Sequence, residues 1–385
     1  MPYSLYVCLQ DEDKISAFSL DSGTGQLTPQ AEVPVAGGPS VLATSPDRQV
    51  LYVGHRGSPA ISSFRINQST GGLAPQGTVG TEHAPTFLAT DRTGSWLLSA
   101  YYQGGYAAVH PLGDDGAVGA LLLDRQDTAN GAHAIATDPS NRFAFVPQIA
   151  RLNDNVLEPP RENPGPNMIL QFKFDPDTGR LSPNSTFRVE PTERLGPRHY
   201  CFHPTQDLVY FSNEQGCSVT GYRLDRATGN LAAVQTITTL PDGFTARNTC
   251  SQIYLMPSGQ FLYVGNRGHN SIAGFAVDAA TGRLTSIRQV PTEAVPSAFG
   301  LDPEGHFVFA AGTASGRLAS YRVNGQTGAL TPLGHLCRGP AARGSAGKPF
   351  RQLERLLRLA PSARRPAMID EVAIDRRLEV VDCWF

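Results

Sequence analysis

DSGTGQL at Asp21–Leu27 returns as NQSTGGL at Asn67–Leu73, DPDTGRL at Asp175–Leu181 and DRATGNL at Asp225–Leu231. It returns again as DAATGRL at Asp278–Leu284 and NGQTGAL at Asn324–Leu330, with a looser copy, DDGAVGAL, at Asp114–Leu121. A refrain of seven copies at a period near fifty residues signals a propeller or a solenoid before any side-chain chemistry is considered.

A second phrase lies between the copies. SPDRQVLYVGHR starts at Ser45, TDPSNRFAFVPQ at Thr137, HPTQDLVYFSNE at His203, MPSGQFLYVGNR at Met256 and LDPEGHFVFAAG at Leu301. TDRTGSWLLSAY from Thr90 is the same phrase without its proline. Pro presets φ and Gly permits positive φ, so each phrase opens on a tight turn. The short β-branched or aromatic runs that follow read as strands. Each repeat then holds four strands, exemplified in order by GPSVLAT, LYVGHR, SIAGFAV and LTPQAEV. Four strands per repeat without helical patterning describe a blade, so the chain is read as all-β: a seven-bladed β-propeller of four-stranded antiparallel blades with an atypical C-terminal tail.

The propeller is expected over residues 1–338 and the tail over 339–385, disordered or partly helical. RQLERLLRL reads as a short helix within Phe350–Leu359. The N-terminus begins at a second strand, SLYVCLQ, so the first blade needs an innermost strand from the tail, where little resembles one. RLNDNVLEPPRENPGPN, Arg151–Asn167, is surplus to the period and falls between the second and third strands of its repeat.

A net charge of −2 gives no global attraction to nucleic acid or anionic membrane. No apolar run is long enough to span a bilayer, and MPYSLYVCLQ lacks the marks of a signal peptide. The six cysteines have no CxxC spacing and read as buried thiols in a reducing cytoplasm. The histidines show no metal-ligand spacing, and GNRGHNSIAG lies between strands, so neither a metal nor a dinucleotide cofactor is expected.

Superposing the repeats on Pro46, Arg92, Pro139, Pro204, Pro257 and Pro303 finds a candidate site. Six positions upstream, at the start of the innermost strand, stand Ser40, Thr86, His133, Arg198, Ser251 and Ser297. Ten positions downstream, at the end of the second strand, stand Arg56, Tyr102, Ile149, Glu214, Arg267 and Thr313. These places are neighbours in an antiparallel hairpin. His133, Arg198, Glu214, Arg267 and Arg56 should therefore share one mouth of the central channel. Arginine forks suit a carboxylate or phosphate, and His and Glu suit proton transfer. The set fits opening or closing a lactone on an anionic substrate. Mutual pairing of Glu214 with Arg198 or Arg267 would equally satisfy a channel wall. Tyr101 and Tyr102 end a second strand; walling the mouth and half-buried packing within the blade are equal alternatives for them.

GPRHYCFHP at Gly196–Pro204, NE at Asn213–Glu214, NRGHNSIAGF at Asn266–Phe275 and PTEAVPSAFGLDPEGHFVFAAG at Pro291–Gly312 resemble the lactonase family of seven-bladed propellers. That family includes propeller-type 6-phosphogluconolactonases and 3-carboxy-cis,cis-muconate cyclases. The resemblance runs from about Tyr3 to Leu333. It implies a catalytic set of His133, Arg198, Glu214 and Arg267, with His199 completing the GPRH motif and Arg56 and Tyr101 at substrate. Ser297 stands where relatives carry an Arg, and GHLCRGPAARGS replaces their closing strand. The expected activity is metal-independent hydrolysis of an anionic sugar-acid lactone in the cytoplasm. A cycloisomerase and a non-catalytic binding scaffold are the alternatives.

Overall fold

A computed structural model describes residues 3–149, 151–152, 156, 162–163, 166–191, 195–337 and 372–375. Seven four-stranded antiparallel sheets follow one another around an axis. Blade 2 is typical, running from Pro39–Thr44 innermost through Val50–His55 and Ala60–Ile66 to Leu73–Gly80 outermost. Blades 3 to 7 have second strands Trp96–Tyr101, Phe143–Gln148, Leu208–Asn213, Phe261–Asn266 and Phe307–Gly312. All are buried or nearly so, because both faces of each sheet pack on a neighbouring blade. The outermost strands alternate buried and exposed residues poorly and are largely solvent-facing.

The refrain forms the turn between third and outermost strands. Gly229 has φ +75° and its N–H donates to Asp225 O at 2.7 Å, a conformation that costs glycine little. It also approaches the next surface closely, since a Cβ there would lie 2.2 Å from the Phe143 ring of the preceding blade. The other turns dock the same way. Tyr6, Tyr52, Tyr210 and Tyr263 each donate a hydroxyl to the turn carbonyl of the next blade, at Gly71, Gly116, Gly282 and Gly328 (2.7–2.9 Å). Where blade 7 meets blade 1, Gly25 packs on Phe307, and Arg322 Nη2 donates to Gly23 O and Thr24 O at 3.1 and 3.0 Å. The repeated phrase is thus the clasp between blades.

Blade 1 is built from Tyr3–Leu9, Lys14–Leu20 and Leu27–Pro34, with Val372–Asp375 paired antiparallel to Tyr3–Leu9 as its innermost strand. Those four residues contact the innermost strands of blades 7 and 2, which completes the ring. The tail therefore enters the propeller at this point. Four residues reading VAID carry neither a turn nor an alternation that would mark them as a strand. The helix expected within Phe350–Leu359 lies outside the described residues. Of the Arg151–Asn167 surplus, Arg151–Leu152 pairs with Glu162–Asn163, between the second and third strands of blade 4 as expected. Cys8, Cys201 and Cys250 are buried free thiols and Cys217 is a half-buried one. Among the described residues no helix is long and apolar enough to cross a membrane.

Candidate active site

Innermost strands start, and second strands end, on the face opposite the refrain. The superposed register is physical. The N–H groups of Arg56, Ile149, Glu214, Arg267 and Thr313 donate to Gly38 O, Gly131 O, Gly196 O, Thr249 O and Val295 O, at 2.7–3.0 Å. Each acceptor is the equivalent residue ahead of its innermost strand. Tyr102 N–H uses the Thr86 hydroxyl instead, at 3.1 Å.

The innermost strands are irregular at this end. The ladder slips between Pro39 and Val41, Pro197 and Tyr200, Cys250 and Ile253, and Pro296 and Ala298. Ser40, the Arg198–His199 pair, Ser251 and Ser297 fall within these bulges, which turn side chains away from the regular ladder. Ser40 and Ser251 spend their hydroxyls on the carbonyls of Gly54 (3.2 Å) and Pro296 (2.8 Å). Arg198 and His199 are the bulged residues with ionisable side chains.

Arg198 Nε lies 2.9 Å from Glu214 Oε2, and Arg267 Nη2 lies 2.6 Å from Glu214 Oε1. The Glu214 side chain is 2% exposed and both guanidinium side chains 10%. Two fixed positive charges against one negative leave this buried assembly with an excess positive charge, suited to an anion. Glu214 is held from every side. Its N–H reaches Gly196 O at 2.7 Å, and its carbonyl accepts Cys250 N–H at 3.0 Å, which joins blade 5 to blade 6. Arg267 Nη2 also donates to Cys250 O at 3.1 Å.

His199 is buried beside this assembly, its ring 5.1 Å from Phe87 and 5.1 Å from His133. Burial first, then the Arg198 guanidinium and His133, hold its imidazole well below the usual histidine range. It is therefore neutral near pH 7. Glu214 and Arg267 also act on it electrostatically, so the five residues form one cluster. His133 is half-buried, and its ring also meets Tyr102 edge-on at 5.9 Å.

One expected residue stands apart, and another lies at the surface. Tyr101 does not wall the mouth. It is 1% exposed, stacks on Tyr106 at 4.2 Å and puts its hydroxyl 3.3 Å from His110 Nε2. Successive strand residues face opposite ways, so its neighbour Tyr102 is the one that reaches His133. Arg56 is exposed at the end of the blade 2 second strand, on the site face.

Asp302, Glu304 and His306 bring ligand atoms within 4.8 Å of one another, but on the opposite face. The Asp302 carboxylate there accepts the N–H groups of Phe307 and Glu304, which is the work of a turn cap. Superposition by the proline register also passes over Asn248, ahead of the blade 6 innermost strand. Its signal was a polar residue, in RNTCSQ, where blades 2, 5 and 7 carry Gly37, Leu195 and Ala294, although blades 3 and 4 carry His83 and Asn130 at the same place.

The sequence matches the family described as "Lactonase, 7-bladed beta-propeller" over residues 5–343. It is 32% identical over 302 residues to a 6-phosphogluconolactonase of Pectobacterium carotovorum, covering 78% of this chain and 85% of that protein. A 6-phosphogluconolactonase of Yersinia pestis is 29% identical over the same shares. Among solved structures, a periplasmic gluconolactonase of Pseudomonas aeruginosa superposes with a TM-score of 0.78 at 23% identity, covering 87% of this chain and 96% of that one. A putative 6-phosphogluconolactonase of Bacteroides uniformis gives 0.77 at 25% identity, covering 97% and 99%. With the blade count, the bulged Arg-His pair and the Glu214 assembly in place, the chain belongs to the lactonase family of seven-bladed β-propellers.

Proposed function

We propose that this protein hydrolyses an anionic sugar-acid lactone, of the 6-phosphogluconolactone class, at the channel mouth formed by blades 4 to 6. The observation that carries the reading is the buried Arg198–Glu214–Arg267 assembly, with its excess positive charge, beside half-buried His133. Water adds to the lactone carbonyl, the guanidiniums stabilise the oxyanion, and the ring C–O bond then breaks to give the open hydroxy acid. His133 takes the proton from water and returns it to the departing ring oxygen. Glu214 is not the base on this reading. Both its oxygens already face guanidinium groups, so a reacting proton would have to displace one. Its work is to fix the two arginines. The relatives' names favour a phosphorylated substrate, and Arg56 is assigned to the distal anion because Ser297 supplies no charge. Free thiols at Cys8, Cys201 and Cys250 agree with a cytoplasmic setting, which cell fractionation would check.

Purified protein is assayed with 6-phosphogluconolactone, unphosphorylated gluconolactone and 3-carboxy-cis,cis-muconate. Faster hydrolysis of the phosphorylated lactone than its spontaneous rate is expected, with kcat falling about a hundredfold or more in His133→Asn. Turnover of the muconate alone would replace hydrolysis by cyclisation. Wild-type kcat in His133→Asn would remove His133 from proton transfer.

A further inference from the structure

In blades 2, 5 and 7 the turn after the second strand is received by a main-chain carbonyl. Gly57 and Ser58 donate to Gly37 O, Gln215 and Gly216 to Leu195 O, and Ala314 to Ala294 O, at 2.9–3.2 Å. Blade 6, which presents Arg267, is built differently. Gly268 N–H and His269 N–H both donate to the side-chain oxygen of Asn248, each at 2.9 Å. Asn248 occupies the place of Gly37, Leu195 and Ala294 in the repeat. Its main-chain carbonyl is instead 3.3 Å from the Cys217 thiol, which donates to it.

The other half of the amide is equally committed to fixed partners. Asn248 Nδ2 donates to Asn266 Oδ1 at 3.2 Å and to Cys217 Sγ at 3.3 Å. Asn266 precedes Arg267, and Cys217 closes the turn that Glu214 opens. The Asn266 side chain is locked in turn by Thr239, whose Oγ1 donates to its Oδ1 at 2.7 Å and whose carbonyl accepts its Nδ2 at 3.0 Å. One amide, 8% exposed, therefore binds the turn carrying Arg267 and the turn carrying Glu214. The backbones are as close as they can be, since a Cβ on Gly268 would lie 2.0 Å from Arg247 O.

We infer that Asn248 is a positioning residue for the anion site: it sets the Arg267 guanidinium against Glu214 and hence toward substrate. The inference rests on the proposed lactonase reading for its kinetic effect, but its geometric content stands without it.

The test uses the full chain and the variants Asn248→Ala, Asn248→Asp and Asn184→Ala. Asn184 is a control, a buried amide of the blade 4 outermost strand that donates to Thr228 O at 2.8 Å, far from the site face. Binding of 6-phosphogluconate, the open acid, is measured by calorimetry, alongside kcat and KM on the lactone and the melting temperature. Asn248→Ala should weaken 6-phosphogluconate binding and raise KM by about tenfold or more. Asn248→Asp, which keeps the acceptor for Gly268 and His269, should recover part of that loss. Asn184→Ala should lower the melting temperature and leave affinity unchanged. Equal affinity in wild type and Asn248→Ala, or a crystal structure of Asn248→Ala with the Arg267–Glu214 pair undisturbed, would overturn the inference. If wild type neither binds the acid nor opens the lactone, the lactonase reading fails, and the crystal structure still decides the role of Asn248.

Discussion

At the turn end of the propeller, Gly25, Gly71, Gly179, Gly229, Gly282 and Gly328 occupy equivalent positions, share one backbone conformation and lean on the blade before. At the channel-mouth end, Arg56, Tyr102, Ile149, Glu214, Arg267 and Thr313 are just as equivalent in register and share almost nothing else. The same chain obeys opposite pressures at its two ends. A clasp between blades has one good solution, so it repeats. A site for an asymmetric substrate needs different groups at each point of the ring, and on the proposed reading that is why the repeat is broken here. Blades 3 and 6 even exchange a backbone acceptor for a side chain, Thr86 in one and Asn248 in the other.

The largest effect that would test this division is loss of a site-face arginine. Arg267→Ala removes the guanidinium 2.6 Å from Glu214 Oε1 and leaves a 2%-exposed carboxylate without that ion pair. Loss of a charged contact to substrate costs about 2–5 kcal/mol, so kcat/KM should fall roughly thirtyfold to a few thousandfold. The carboxylate left behind should also lower the unfolding midpoint in urea. An Arg267→Ala enzyme with wild-type kcat/KM would mean that the mouth holds structure and no chemistry.

Gly229→Ala should do the reverse. The methyl group would meet the Phe143 ring, and the residue would be forced into the left-handed region. Left-handed strain and overpacking cost about 1–2 and 1–3 kcal/mol, so a loss near 3 kcal/mol in urea unfolding is expected. Enzyme folded at low temperature should keep its kcat/KM. A kinetic loss larger than the loss of folded protein would show that the two faces are coupled.

The same division explains what could be read in advance. Strand order and blade count were legible because the turns are local, governed by a glycine φ and a proline ring. The convergence of His133, Arg198, Glu214 and Arg267 was legible because propeller symmetry converts sequence register into position. Tyr101 misled because adjacent strand residues differ only in the face they present, and the buried partner, His110, lies on another strand. The double pairing of Glu214 was not legible in full. It depends on blades 5 and 6 meeting at Cys250 N–H and Glu214 O, a contact no repeat phrase encodes. Val372–Asp375 was invisible because its strand character comes wholly from the partner Tyr3–Leu9.

The smallest effect concerns two histidines, one on each side of the comparison. His110 lies inside blade 3 against Ser99 and Tyr101, and burial alone lowers its pKa to about 4. His199 is lowered by burial and also by the site-face cations. An unfolded histidine titrates near 6.5. Between that value and the folded one, the unfolded chain binds the proton and the native chain does not. Stability is therefore complete above about pH 6.5 and falls as the pH drops, by about 1.4 kcal/mol per unit for each whole proton. Asp302, raised by burial, opposes the trend at the acid end, because the native state takes its proton first. Urea unfolding at pH 7, 6 and 5 should show the fall, and His110→Gln should make it shallower by up to one proton. The comparison then sharpens by NMR titration of Arg198→Ala. Removing that guanidinium should move His199 upward and leave His110 in place, since only His199 feels the site. An unmoved His199 would mean that its neutrality belongs to packing alone, and that the anion site exerts no field on the imidazole beside it.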